Sequence, residues 1–198
     1  MRIPFLVLVL MATGLAMAQD DNGPVGMHKG MTREQVIQIV GTNAVIEASG
    51  DSLTLSTVPR PLPAFHVYAL FFSPKGGLLK IVAVADGIKA DGFGKTVHDC
   101  FMEIQRANSQ TYGQPERTED SVDTGSIWKE PEDWMAGLLK DERTLGSRWD
   151  KTLPNRIHQI VLQAKAVSTQ EGFVALNYEF DGWTEYVVGK RRAAGIVY

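Results

Sequence analysis

The stretch His66–Ser73 followed by Leu78–Ala85 limits this chain's fold more than any other feature. Tyr68, Leu70 and Phe72 alternate with Val67, Ala69 and Phe71, so a strand here is apolar on both faces. Such a strand belongs inside a sheet, with a helix against one face and further cover on the other. Pro74-Lys75-Gly76-Gly77 between the two runs reads as a four-residue hairpin loop. The same theme returns in the tail, where Arg156–Ser168 and Phe173–Phe180 flank Thr169-Gln170-Glu171-Gly172. There Val174, Leu176, Tyr178 and Phe180 mark one face, and Phe173, Ala175, Asn177 and Glu179 the other.

Each hairpin follows a helical pattern. Thr32 can cap a short helix, with Gln35 three residues on in a capping-box arrangement; Val36, Ile37 and Val40 give its apolar side and Gly41 its end. Ala44 to Thr57 reads as two short strands around Gly50-Asp51. Three prolines make Val58–Pro63 an extended connector. A second helix spans about Lys95 to Tyr112, its stripe formed by Val97, Cys100, Phe101, Ile104 and Ala107, with Gly113 as cap and Pro115 beyond it. An acidic loop over Glu116–Asp123 precedes a third helix opened by Pro131, and a last helical piece lies near Trp183–Arg192. The fold class is therefore α+β. Two α-β-β-β units with antiparallel sheets are expected, the first over residues 30–94 and the second, with a helical insertion, over 95–198.

The N-terminus reads as an export signal. Arg2 precedes the apolar run Phe5–Met11, and Ala16-Met17-Ala18 presents small residues before the polar Gln19-Asp20-Asp21-Asn22-Gly23. Cleavage after Ala18 would remove residues 1–18, and a loose segment is expected over 19–29. Losing Arg2 leaves 19 basic against 23 acidic residues, a net charge of about −4. That argues against nucleic acid or an anionic membrane as partner. Cys100 is the sole cysteine, so no intramolecular disulfide and no cysteine-based zinc site can form. These features point to the periplasm as the destination.

Gly30-Met31-Thr32-Arg33-Glu34-Gln35-Val36-Ile37-Gln38-Ile39-Val40-Gly41 resembles the opening helix of exported proteins of the β-lactamase-inhibitor-like group, which includes the SmpA/OmlA outer-membrane assembly lipoproteins. Tyr112-Gly113-Gln114-Pro115 is similar to the exit from such helices. The resemblance implies tandem α/β units whose strands form a concave face that grips a protein. The chain departs from the lipoproteins in lacking a lipid-attachment cysteine after its small residues.

Catalytic signatures are weak. His98 and Cys100, two apart on a helix, point about 200° away from each other. No two histidines among His28, His66, His98 and His158 stand at metal-binding spacing. His158 alternates with Ile160 and Leu162 and is expected at the entry of a buried face. Gly125-Ser126 and Gly146-Ser147 lack the second glycine of a nucleophile elbow. Asp86 and Asp91 flank a glycine-rich loop better explained as a turn. No catalytic residue, metal or cofactor is expected.

All four tryptophans fall in the second half. Large aromatic rings anchor protein interfaces, so Trp128, Trp134, Trp149 and Trp183, with Phe173 and Asn177 on the tail hairpin, are the expected partner contacts. Trp134 is the foremost of these. The expectation is an exported, non-catalytic module that binds another envelope protein through a sheet face and nearby aromatics. The alternative is an envelope hydrolase or small-ligand carrier with a pocket between the hairpins.

Overall fold

A computed structural model describes residues 23–195. The expected signal peptide, its cleavage point and residues 19–22 lie outside them. Eight strands form one antiparallel sheet in the order β1-β2-β3-β4-β8-β7-β6-β5. Their spans are β1 Val45–Ser49, β2 Ser52–Leu55, β3 Val67–Ser73, β4 Gly77–Lys89, β5 Arg117–Val122, β6 Arg143–Trp149, β7 Ile157–Ser168 and β8 Glu171–Phe180. Strands β1–β4 thus fill one side of the sheet and β5–β8 the other. The seam is β4 against β8, in register from Lys80 opposite Glu179 to Lys89 opposite Glu171. The two hairpins foreseen from their apolar faces meet edge to edge at the centre of the sheet.

Period-two alternation decides which side is buried. Tyr68, Leu70, Ile81, Ala83, Leu176, Tyr178, Ile160 and Leu162 all point to one face and are at most 3 % exposed. The helices α1 (Arg33–Val40), α2 (Lys95–Tyr112) and α3 (Trp134–Leu139) pack with this core. In α1 the capping box forms as expected, with Thr32 Oγ1 accepting from the Gln35 N–H and Gln35 Oε1 from the Thr32 N–H. Val97, Phe101 and Ile104 of α2 are buried, and full burial of a ring such as Phe101 contributes about 2–3 kcal/mol. Cys100, on the flank of that stripe, is only half-buried rather than enclosed. The fourth helix, α4 (Trp183–Ala193), lies against the other face, where Trp183 stacks on Phe71.

Four expectations need correction. Residues 23–29 are packed rather than loose: Val25 and Met27 are 6 % and 0 % exposed, and the Arg60 N–H donates to the Val25 carbonyl. The acidic loop over 116–123 is the edge strand β5, which pairs with β6 from Arg117 opposite Arg148 to Val122 opposite Arg143. An edge strand with little buried surface carries no hydrophobic alternation, so its residues read as loop. Asp86 stands where β4 bulges, between Ala85 and Ile88, and not in a turn after it. His158 is exposed because a bulge between Ile157 and Gln159 inserts one residue, turning Ile157 and Ile160 inward together and His158 out.

Candidate functional site

The helices α1–α3 leave the opposite face of the sheet open across β4, β8, β7 and β6. The residues out of phase with the core form it: Lys80 on β4, Asn177 and Glu179 on β8, Gln159, Val161 and Gln163 on β7, and Gly146 and Arg148 on β6. With Arg117 and Glu119 of β5 they line a shallow concavity of about 390 Å³. At its centre the Lys80 Nζ donates to Glu179 Oε1 at 2.8 Å, and Gln159 Nε2 donates to the same carboxylate's other oxygen. Asn177 Nδ2 donates to the Val161 carbonyl at 3.2 Å. The floor is therefore fixed by cross-strand pairs, while the Gln159 Oε1 is enclosed without a partner. Towards β5, Arg148 pairs with Asp150 at 3.0 Å and Arg117 with Glu119 at 3.2 Å, both well exposed and cheap to redirect.

One end of this face is closed by α4. The Trp183 ring stacks on Phe71 at 5.7 Å and on Tyr186 at 5.8 Å between centroids, and the Lys80 ammonium sits 5.1 Å from its centre. Asp51, in the β1–β2 turn, ties the helix down by accepting from the Tyr186 hydroxyl at 2.5 Å and from Lys190. The Lys190 hydrogen bond, then that of Tyr186, holds the Asp51 carboxyl below the ordinary aspartate range. The same Asp51 bond raises the Lys190 ammonium. Burial, then the Asp51 bond, pushes the Tyr186 hydroxyl up.

The residues expected as contacts fall into three groups. Asn177 and Phe173 are on the open face, and Trp183 borders it, half-buried. Trp149 and Trp134 are core, at 1 % and 7 % exposure. Trp149 donates from Nε1 to the Gly113 carbonyl at 2.8 Å, closing the end of α2. Trp134 lies on Gly94, where a Cβ would come within 2.0 Å of the ring, and meets His98 edge-on at 6.3 Å. Its burial removes it as a surface contact: the few polar residues around it in sequence sit in the 3-10 turn Pro131–Asp133, and the helix behind them turns its apolar residues inward. Trp128 is half-buried away from the open face, its N–H bonded to Ser126 Oγ at 2.9 Å.

Sequence reasoning missed Lys80, Gln159, Arg148, Arg117 and Glu119. Lys80 and Gln159 were legible as out-of-phase positions in apolar strands, but only strand pairing brings them beside Asn177. The two hairpins are joined into one sheet by the pairing of β4 with β8, so the space they share is the concavity on the open face. Among the described residues no three of His, Cys, Asp and Glu gather as a metal-ligand set. His98 and Asp120 do line a common recess of about 420 Å³ beside Trp134, yet its lining includes no hydroxyl or thiol. At Cys100 burial, then Glu103, pushes the thiol's pKa up, which disfavours the nucleophilic thiolate. No helix of the described residues is long and apolar enough to cross a membrane.

Comparisons with protein-family models, with curated proteins and with solved structures found no match to this chain.

Proposed function

We propose that this chain is an exported envelope protein that captures another protein on the open face of its sheet, without catalysis. The observation that carries the reading is the one-sided cover: three helices bury one face, while the central strands of the other present a concavity of mixed charge, about 390 Å³ in volume, bordered by the Trp183 cluster. Aromatic residues and arginine are enriched in protein interfaces and their rims are polar, and the Trp183 cluster with Arg148 and Arg117 supplies both kinds of contact here. The β-lactamase-inhibitor-like resemblance of residues 30–41 adds the expectation of a concave sheet as the gripping surface.

The test has two arms. Fractionation with N-terminal sequencing should find the chain in the periplasm, beginning at Gln19. A cross-linking pull-down from envelope extract, with the native chain and with an Asn177→Arg, Arg148→Glu double variant, should yield one partner that the variant loses at least tenfold. Arg148 is exposed and Asn177 half-buried on the open face, where its loss removes one hydrogen bond to the Val161 carbonyl, so far-ultraviolet circular dichroism should be unchanged. A cytoplasmic chain, or equal capture by a folded double variant, sinks the reading.

A further inference from the structure

An apolar cavity among the described residues lies on the opposite side of the sheet from the open face. It occupies about 590 Å³ between α2, the proline connector and the packed N-terminal segment, within the range typical of small-molecule pockets. Its apolar walls come from Val25, Leu62, Phe65, Ile104 and Leu176. The connector is held in place rather than free: the Leu62 N–H donates to the Tyr68 hydroxyl at 3.0 Å, and Arg60 donates to the Val25 carbonyl from its backbone and to the Gly23 carbonyl from Nη2.

Polar groups enter this cavity at few points. Asn108 belongs to the α2 stripe, where an apolar residue would complete the row Val97, Phe101, Ile104. It is only 6 % exposed, and its carboxamide nitrogen has no hydrogen-bond partner. A buried unpaired donor of this kind costs about 1–3 kcal/mol; the nitrogen is itself covered, so a rotation of the carboxamide is what would bring it to a ligand acceptor in the cavity. Tyr112 and Tyr178 line the same end, their rings 6.2 Å apart. Burial raises the hydroxyl pKa of both, that of Tyr178 far above the ordinary tyrosine range, so both stay protonated at physiological pH, and the hydrogen bond between the two hydroxyls leaves one of their protons for a ligand. The Arg60 guanidinium acts on Tyr112 in the opposite sense, placing a positive charge near that hydroxyl. Among the described residues Arg60 has no ion-pair partner. Among the described residues Glu103 is the one carboxylate of the lining; on α2 it stands nine residues before Tyr112, about 13.5 Å along the axis, and five before Asn108, about 7.5 Å.

The geometry points to a binding site for a small amphipathic monocarboxylate, with its apolar body between Ile104, Phe65 and Leu176 and its carboxylate at the Arg60, Tyr112 and Asn108 end. The charge order selects the anion's orientation: a cationic head at the same place would face Arg60. This site is independent of the open sheet face, so either can fail alone.

Titration calorimetry of the full chain with decanoate, decanol and decylamine tests it. Decanoate should saturate at one per chain and bind about tenfold or more tighter than decanol, the scale of one charge-assisted contact; decylamine should bind weakest. Arg60→Gln should bring decanoate to the level of decanol and leave decanol unchanged. Ala107→Trp, on the exposed rim, should abolish both with the thermal transition retained. Asn108→Leu should raise the thermal midpoint of the free protein yet weaken decanoate, a pair of opposite effects that a purely structural asparagine would not give. Absence of saturable decanoate binding, or an unchanged preference over decanol in Arg60→Gln, overturns the assignment.

Discussion

Tryptophan here serves two different ends, and burial rather than residue type separates them. Trp134 is enclosed against Gly94, whose positive φ of 65° and missing side chain let the indole lie flat on the start of α2. Replacing Trp134 by alanine should cost about 3–5 kcal/mol, read as a lowered urea midpoint. Trp183→Ala, which removes two ring contacts on a half-exposed surface, should cost about 1–2 kcal/mol. Equal losses in the two variants would contradict this division. The sequence could not separate them, because both rings begin a helix beside charged residues. What distinguishes them is the neighbour: a glycine brought from 40 residues earlier in one case, a sheet face in the other.

At the scale of the element, α4 is the piece most open to pH. Among the described residues it has no fully buried side chain, and its dock includes the Asp51–Tyr186–Lys190 cluster. Asp51 has a lowered folded-state pKa, so its contribution is present above the ordinary aspartate range and is lost as pH falls through the depressed value. Lys190 is raised, so its share is complete below the ordinary lysine range and fades as pH climbs through the elevated value. The indole resonance of Trp183 should hold constant between these limits and move towards its free position at either extreme. In Asp51→Asn the acid-side movement should vanish; its persistence would place the acid sensitivity elsewhere. The helix itself was legible, with its bounds close to those found, because three basic residues in the last turn are a C-terminal signal. Its perch on the open face was not, since Asp51 and Lys190 are 139 residues apart. The strands divided the same way. β3, β4, β7 and β8 announced themselves through apolar alternation. β5 did not, and β6, although Leu145, Ser147 and Trp149 alternate inward, was hidden by the helical signals just before it.

For the whole molecule, the antiparallel sheet of an α+β fold was recoverable from two hairpins and their helices, but the seam that joins them was not. Nothing local in β4 or β8 specifies that they pair. The concavity of the open face depends on that seam, because Lys80 and Glu179 bridge it. A single cooperative unit is therefore expected across residue 95. Urea unfolding followed by near-ultraviolet circular dichroism and by hydrogen exchange in β3 should give coincident midpoints. A β3 that stays protected after the tryptophan signal is lost would mean two independently stable halves.

The position of β8 also sets an order of events for a chain made from its N-terminus. Strand β4 carries Ile81, Ala83 and Ala85 to a margin whose backbone groups stay unsatisfied until residues 171–180 arrive, nearly a hundred positions later. Until then the nascent product offers strangers a bare, sticky border, and a message cut short before Glu171 would yield a protein prone to clump rather than a smaller working one.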